Sequence, residues 1–570
     1  MMKRSFTLKL IFTALVISGS FVSCKKSGGG RGISDGTGWK MDGRDGGFQA
    51  NTRYKGQETG PGLVFIEGGS FTMGQVQDDV MHDWNNTPTQ QTVQSFYIDE
   101  HEVTNVMYLE YLDWLKRTFP PENPEYRNIY YGALPDTLVW RSPLGSNEVF
   151  VENYLRHPAY QEFPVVGVSW VQAMQYCNWR TDRVNEFILE KKGLFQKNAH
   201  TQFTNGASNF NTDTYLAAPE NTYGGDSTAI KKGIPYYKYN RENADPDSKK
   251  GIRPEKATRA VNTSDGLLLP KYTLPTEAQW EYAAKAIVEN REYNNIKGRK
   301  KYPWRGMYTR RGDRKRAGDQ LANFKQGRGD YAGIAGWSDD DATLTQEVKH
   351  YPPNAFGLYD MAGNVAEWVA DVYRPIIDAT ATDLNYYRGN DFTKQKIGED
   401  GKVVVIKEGV EYDTLTNGRI VPKVLPGSVA RETLDEADVY LRPNFEKAYN
   451  VNYRDGDFPS TRFYEQYTSD SLEFEELKKK TNMYNSPMNK ISRDSLGNII
   501  RNRDKSKDRT SLVSDEVRVY KGGSWKDRAY WLDPSQRRYL PQDMATNYIG
   551  FRCAMPRVGR ESLKKKRARD

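Results

Sequence analysis

The stretch that most constrains this chain lies near its end. Val517 to Tyr520 is a short apolar run with Val517 and Val519 on one face, the alternation of a half-buried strand. It breaks at Gly522-Gly523, which permit backbone conformations closed to other residues. After a loop rich in Arg and Trp the chain reaches Gly550-Phe551-Arg552-Cys553. A strand, a tight turn and a second compact block must therefore be accommodated within a few dozen residues.

Earlier segments supply elements of both kinds. Gly62 to Gly74 reads as a strand, a turn at Gly68-Gly69 and a second strand, hence a hairpin, and another strand follows at Thr92 to Ile98. A helix starts after Glu102-Val103-Thr104-Asn105, with Tyr108, Tyr111, Leu112, Leu115 and Phe119 at helical spacing. Phe163 to Ser169 is a short buried strand or loop. Ser169 is an N-cap for a helix to about Lys191, with Ala173, Cys177, Val184 and Ile188 near one face. Thr276-Glu277-Ala278-Gln279 matches a capping box, and Trp280, Ala283, Ala284 and Ile287 continue that helix. Two stretches stand apart. Residues 192–268 are polar, like an inserted loop, and residues 374–515 far exceed the ~15 residues of an ordinary loop. Within the second, Val403–Lys407 and Val410–Tyr412 read as a strand pair around Glu408-Gly409, and Ser471–Lys480 as a helix. The expectation is a partly ordered excursion packed on the core, in a chain of the α+β class.

GGSW followed by GFRC resembles the end of the formylglycine-generating enzyme, or sulfatase-modifying factor, family. VFIEGGSFTMG, EVTN, PVVGVSW, LPTEAQWEYAAK and NAFGLYDMAGNVAEW resemble other blocks of that family and run in its order from Val64 to Cys553. The resemblance implies an α+β fold related to C-type lectins, with much irregular backbone, spanning residues 61–557 and carrying the two stretches as insertions. Oxidase members hold copper with two cysteines spaced C-x4-C just after the GGS turn. Here those positions hold Asp527 and Leu532, a carboxylate and an aliphatic chain that cannot form a two-thiolate site for soft Cu(I). The five histidines form no H-x3-H or HExxH pair, so zinc has little support either.

The resemblance carries over two calcium sites. One comprises the side chains of Asp360 and Glu367 with the carbonyls of Gly363 and Val365. The other comprises Asn323, Phe324, Asp330 and Ala332. Calcium takes 6–8 oxygens, and these loops offer carboxylates, amides and carbonyls. The alternative is that Glu367 and Asn364 simply brace the loop by hydrogen bonds. In an exported chain the pair Cys177 and Cys553 reads as a disulfide, which the resemblance supports, with two buried thiols as the alternative.

Met1 to Ser23 reads as an export signal, with Lys3 and Arg4 before an apolar run from Leu10 to Ile17, short of the ~20 residues that span a bilayer. Its end, Phe21-Val22-Ser23-Cys24, is similar to a lipoprotein signal, with Cys24 as the lipidated residue and residues 24–60 as a flexible tether. The formal charge is +8, but the signal and the basic tail within 558–570 supply nearly all of it, so no nucleic-acid partner is expected. Anchored members without copper cysteines and with such insertions resemble the gliding-motility lipoproteins of the type IX secretion system. That resemblance implies a non-catalytic scaffold on the outer membrane, facing the periplasm and partnered by other gliding and secretion proteins. The rival expectations are a periplasmic glycan-binding module, suggested by 12 Trp and 37 Tyr, and a residual oxidase.

Overall fold

The computed structural model describes residues 32–43, 48–76, 79–238, 255–287, 300–327, 340, 342–374, 384–389, 392–415, 417–434 and 516–559, with a short strand pair at Ser492–Arg493 and Ile499–Ile500. The signal segment, Cys24, Asp330, Ala332, the Ser471–Lys480 helix and the basic run after residue 559 lie outside the described residues. The chain divides into two units.

The smaller unit takes residues 1–57, 188–197 and 227–268. Its centre is the antiparallel pair Ile234–Lys238 and Glu255–Arg259. Part of the segment expected to be a tether joins it: Gln49 donates to the Pro235 carbonyl at 3.2 Å, and Asn51 to that of Asp265 at 2.9 Å. Arg259 grips Asp265 through two bonds of 2.7 and 2.8 Å.

The larger unit holds the recognised blocks. Four early strands are β1 (Leu63–Ile66), β2 (Gly69–Met73), β3 (Thr89–Val93) and β4 (Phe96–Asp99). The expected β1–β2 hairpin does not form. Instead β1 pairs with β4 and β2 with β3, so the two strands are separated by the 89–99 segment that both engage. The Gly68 turn packs so closely on the Val93–Ser95 backbone that a side chain there would clash. Of the helices that follow, three carry recognised blocks: α1 (Asn105–Thr118), α2 (Trp170–Lys191) and α3 (Glu277–Lys285). α1 buries Tyr108, Tyr111, Leu112 and Leu115 of the set read from its spacing, together with Trp114, while Phe119, the last of that set, is buried as its C-cap. Ser169 and Gln172 cap α2 reciprocally. Thr276 and Gln279 cap α3 in the same way, but that helix stops at Lys285, where Ala286 turns left-handed, and Ile287 lies beyond it.

The main sheet assembles three family blocks. β5 (Ala366–Val372), from the NVAEW block, is fully buried and lies at the centre. Antiparallel to it runs β6 (Val517–Lys521), which leads into GGSW, with β7 (Arg538–Pro541) on its far side. Parallel to β5 runs β8 (Ile549–Phe551), from GFRC. The register places Glu367 between Lys521 and Gly550. After Cys553 the chain continues as β9 (Ala554–Pro556), which joins β4 and so makes a second, three-stranded sheet β1-β4-β9. Trp280, Ala283, Ala284 and Val369 are inaccessible in the core between α3 and these strands.

The described part of the late insertion packs on this core. Arg419 donates to the Leu134 carbonyl at 2.7 Å, and Asn417 bonds Asp543 through both its backbone and its side chain. Its internal pairing differs from the one expected. Tyr412–Thr414 pairs with Ile420–Pro422, while Val405 bridges to Val429. Gly409 bends the chain, but strands on either side find partners farther along the sequence than each other.

Candidate functional site

β6 delivers Gly522 and Gly523 to a turn, and the next residues include positions 527 and 532, which the resemblance aligns with copper-binding cysteines. Ser524 is inaccessible, and its Oγ donates to Asp527 Oδ2 at 2.6 Å. Arg538, from β7, binds Asp527 with two bonds of 2.7 Å each. The same guanidinium lies over the rings of Trp531 (4.6 Å) and Tyr520 (4.7 Å). Although burial alone would lower it, the Arg538 pKa is raised by Asp527. Leu532, five residues on, has no exposure and packs with Tyr302, Ala322, Phe324 and Ala362. Positions 527 and 532 thus face different surroundings, an ion pair and an apolar cluster. Neither supplies a soft ligand. Of the arginines flanking this loop it is Arg538 that takes Asp527, while Arg537 is bound to Glu277 at 2.6 Å.

Behind the turn sits a cluster of buried carboxylates. Glu367 receives two bonds of 2.6 Å from Arg552 and one of 2.7 Å from the Trp280 indole. Arg552 also donates to the Asp99 and Tyr359 carbonyls. Asp360, at φ +56°, accepts from the Lys349 amide with Oδ2, whereas Oδ1 is buried without a partner. Burial pushes its carboxyl up to about 6. Glu102 accepts from the Asn364 side chain (2.8 Å) and the Val365 amide (3.2 Å). Burial first, then the charges of Asp360 and Glu367, push it well above the usual carboxylate range.

The expected calcium ligands therefore fall in two groups. Asp360, Gly363, Val365 and Glu367 lie along the loop that leads into β5. Asn323 joins them, because its carbonyl accepts from the Asn364 amide at 2.9 Å. Phe324 instead turns to Asp340, whose carboxylate accepts its amide at 3.2 Å. Among the described residues no three His, Cys, Asp or Glu side chains are arranged to hold a metal ion. A site of two carboxylates and two carbonyls is not such a group. Its fit to a cation rests on the orphaned Asp360 oxygen and on the charges of Asp360 and Glu102, which act on an Arg552 guanidinium hydrogen-bonded to Glu367. The bracing role expected of Glu367 and Asn364 is also present in these bonds. Glu102 and Arg552 were not singled out as site residues. The signal available was a charge embedded in each of two otherwise family-like blocks, EVTN and GFRC.

Cys177 and Cys553 come together from α2 and the end of GFRC, with sulfurs 3.4 Å apart and both side chains inaccessible. Burial pushes the Cys177 thiol well up, and contact with Cys553 adds to the shift. Asp99 accepts the Cys553 amide at 2.8 Å and pairs with Arg180, so the second sheet and α2 are tied at this point.

Sheet, turn and carboxylate cluster together define a sulfatase-modifying-factor domain. Residues 49–407 match the sulfatase-modifying factor enzyme 1-like domain, and the chain belongs to that family. It is 20% identical over 361 residues to the formylglycine-generating enzyme of Mus musculus, covering 58% of this chain and 66% of the mouse protein. It is 34% identical over 126 residues to that of Streptomyces coelicolor, covering 22% and 34%. The inactive Cα-formylglycine-generating enzyme 2 of Mus musculus is 23% identical over 357 residues, covering 59% and 75%. The chain thus spans less than two thirds of the length of the first two relatives, and the family includes active and inactive members. The structure of PvdO from Pseudomonas aeruginosa aligns over 87% of this chain and 94% of its own at 14% identity, with a TM-score of 0.35.

Proposed function

We propose that this chain is a non-catalytic, lipid-anchored scaffold on the outer membrane, facing the periplasm, and that it works with other gliding-motility and type IX secretion proteins. Among those lipoproteins its length and late insertion resemble the GldJ type more than the shorter GldK type. The observation that carries the non-catalytic part is the state of the copper positions, with Asp527 locked by Arg538 and Leu532 sunk in an apolar cluster. The anchor and the partners rest on the sequence resemblance. In this reading a rigid core displays the insertions to partners, while the acyl anchor at Cys24 confines them and raises their effective concentration.

Calcium is proposed as a structural ion, with Asp360 and Glu367 as its carboxylates and the Gly363 and Val365 carbonyls beside them. When bound it would hold loops that lack regular secondary structure. A second ion would draw on Asn323, Phe324, Asp330 and Ala332.

The test is a pull-down after crosslinking in vivo, comparing the full protein with a deletion of residues 374–515. Loss of specific partners supports the insertion as a docking surface, and retention of every partner removes it. Catalysis is tested separately by offering a cysteine-containing peptide to the purified protein. Turnover that disappears in Asp527→Ala would overturn the non-catalytic reading.

A further inference from the structure

We propose that the cleft where the two insertions meet the helical side of the core is a receptor for a peptide carboxylate; the inference rests on the scaffold reading for its biological partner but not for its chemistry. The cleft holds about 240 Å³, with α1 and α2 at its back. Asn209 to Asp213, from the first insertion, form one side, and Pro422 to Arg431, from the second, form the other. Small-ligand sites begin at ~300 Å³, so this one has room for a residue or two and not for a folded surface.

Its walls are fixed before any ligand arrives. Asn209 Nδ2 donates to the carbonyls of Gly206 (2.7 Å) and Pro426 (2.8 Å), tying one insertion to the other. Thr214 Oγ1 donates to the Gly427 carbonyl at 2.7 Å, and Asn211 Nδ2 to Asp182 Oδ2 (3.0 Å) and Ser428 Oγ (3.2 Å). Gly427 has φ +88°, and a Cβ there would stand 2.5 Å from the Ala207 carbonyl oxygen, so the two insertions touch backbone to backbone. A preformed cleft loses less affinity to ordering than a mobile one.

Charge sets the class of ligand. Arg183, Lys271, Lys423 and Arg431 line the cleft with Asp182 and Asp213; Glu186 answers Arg183 at 2.5 Å and Glu411 lies 3.7 Å from Lys423, so Lys271 and Arg431 are the pair of cations that share a single carboxylate. Asp213 Oδ2 is shared between Lys271 Nζ at 2.6 Å and Arg431 Nη1 at 3.4 Å, so one carboxylate answers two cations from different segments. Both cations stay accessible, with side chains 52% and 35% exposed. A further carboxylate entering here meets charged donors on either side, the strong kind of hydrogen bond. Gln175 and Asn178 add amides that suit a peptide backbone, and Leu425 adds apolar contact. A sugar ring fits less well, because Tyr111, Trp114 and Trp179 are less than a tenth exposed and present no open stacking face.

The experiment titrates the full-length protein into a fluorescein-labelled hexapeptide ending in Asp-Glu with a free C-terminus, read by fluorescence polarisation. Saturable binding is expected, weakened about tenfold or more by Lys271→Gln with Arg431→Gln. Asn178→Asp, an exposed substitution that leaves the Asp213 pairs in place, is expected to weaken it too, with the melting temperature unchanged. A peptide with an amidated terminus and one with Asn-Gln side chains tell which carboxylate is held. The proposal is overturned if no carboxylate peptide saturates by millimolar concentration, if the fully neutral peptide binds equally well, or if glucuronate displaces the probe better than peptide. Such a result would leave the crosslinking test of the scaffold untouched.

Discussion

Glu367 and Arg552 meet through two hydrogen bonds of 2.6 Å, both side chains having no exposure at all. The pair joins β5 to the end of β8, and Trp280 adds α3 through its indole. Removing one partner strands the other charge in the core, so Arg552→Met is expected to cost ~3–5 kcal/mol. Restoring neutrality with Glu367→Gln in the same chain should recover part of that loss. Urea unfolding measures both, and a single-mutant cost below ~1 kcal/mol would show that the pair does not tie the sheet together.

Stability should depend on pH in two opposite limbs. Asp371 accepts the amides of Glu277 and Arg388, and burial, followed by the charge of Glu277, pushes its carboxyl up to about 7. Between its ordinary value and about 7 the folded state binds more protons than the unfolded one, so stability rises as pH falls through that range. Glu281 behaves the other way. Burial would raise its pKa, but Lys285 and Lys521 together outweigh it and hold the carboxyl at about 2. Its contribution is full above the ordinary carboxylate value and is lost as pH falls toward 2. The urea midpoint should therefore climb from pH 8 to about 5 and collapse below about 4. Asp371→Asn should flatten the upper limb by roughly 1–4 kcal/mol and leave the acid limb alone. Glu102, Asp360 and Asp182 are shifted in the same upward direction, so some of the upper limb will remain.

The sequence was most informative where a local rule decided the outcome. The spacing of Tyr108, Tyr111, Leu112 and Leu115 gave the buried face of α1, and the Thr276–Gln279 capping box gave the start of α3. Local rules failed for β1 and β2, because a Gly-Gly turn between two apolar runs does not say which strand each will pair with. The same holds in the late insertion, where Val405 pairs with Val429 across a gap that no turn signal spans. Around the site, it was legible that positions 527 and 532 hold a carboxylate and an aliphatic side chain. The choice of Arg538 as the partner of Asp527 was not legible, since β7 brings it alongside through sheet register. Glu102 reaches the Asn364–Val365 loop from more than two hundred residues away, and spacing carries no trace of that.

Cys177 and Cys553 stand side by side in the core, 3.4 Å between sulfurs. If the chain matures in an oxidising compartment, the expected outcome is one intramolecular bridge, seen as protection of both thiols from alkylation until reductant and denaturant are added together. Reduction, or Cys553→Ala, should then lower stability by ~3–5 kcal/mol. Alkylation of Cys177 and Cys553 in denatured protein purified without reductant would establish the buried-thiol alternative instead.

The Asp360 carboxylate keeps one oxygen, Oδ1, buried and without a partner, while Oδ2 is occupied by the Lys349 amide. Burial pushes this carboxyl up to about 6, so near neutral pH it carries charge while Oδ1 is held away from water with no hydrogen-bond donor on it. A calcium ion beside it would supply the missing partner. Calcium is accordingly expected to raise the melting temperature, with a stabilisation of ~2.7 kcal/mol at a hundredfold excess over Kd, and a chelator should reverse it. Magnesium should substitute poorly, since it demands stricter octahedral geometry and gives up its waters reluctantly. Asp360→Ala should abolish the response without breaking the Glu367–Arg552 pair. Lowering the pH to 5 should weaken the response in the unaltered chain, because protons then compete for the same oxygen. A melting temperature indifferent to both calcium and chelator in the unaltered chain at pH 7.5 would assign Asp360 to loop geometry alone.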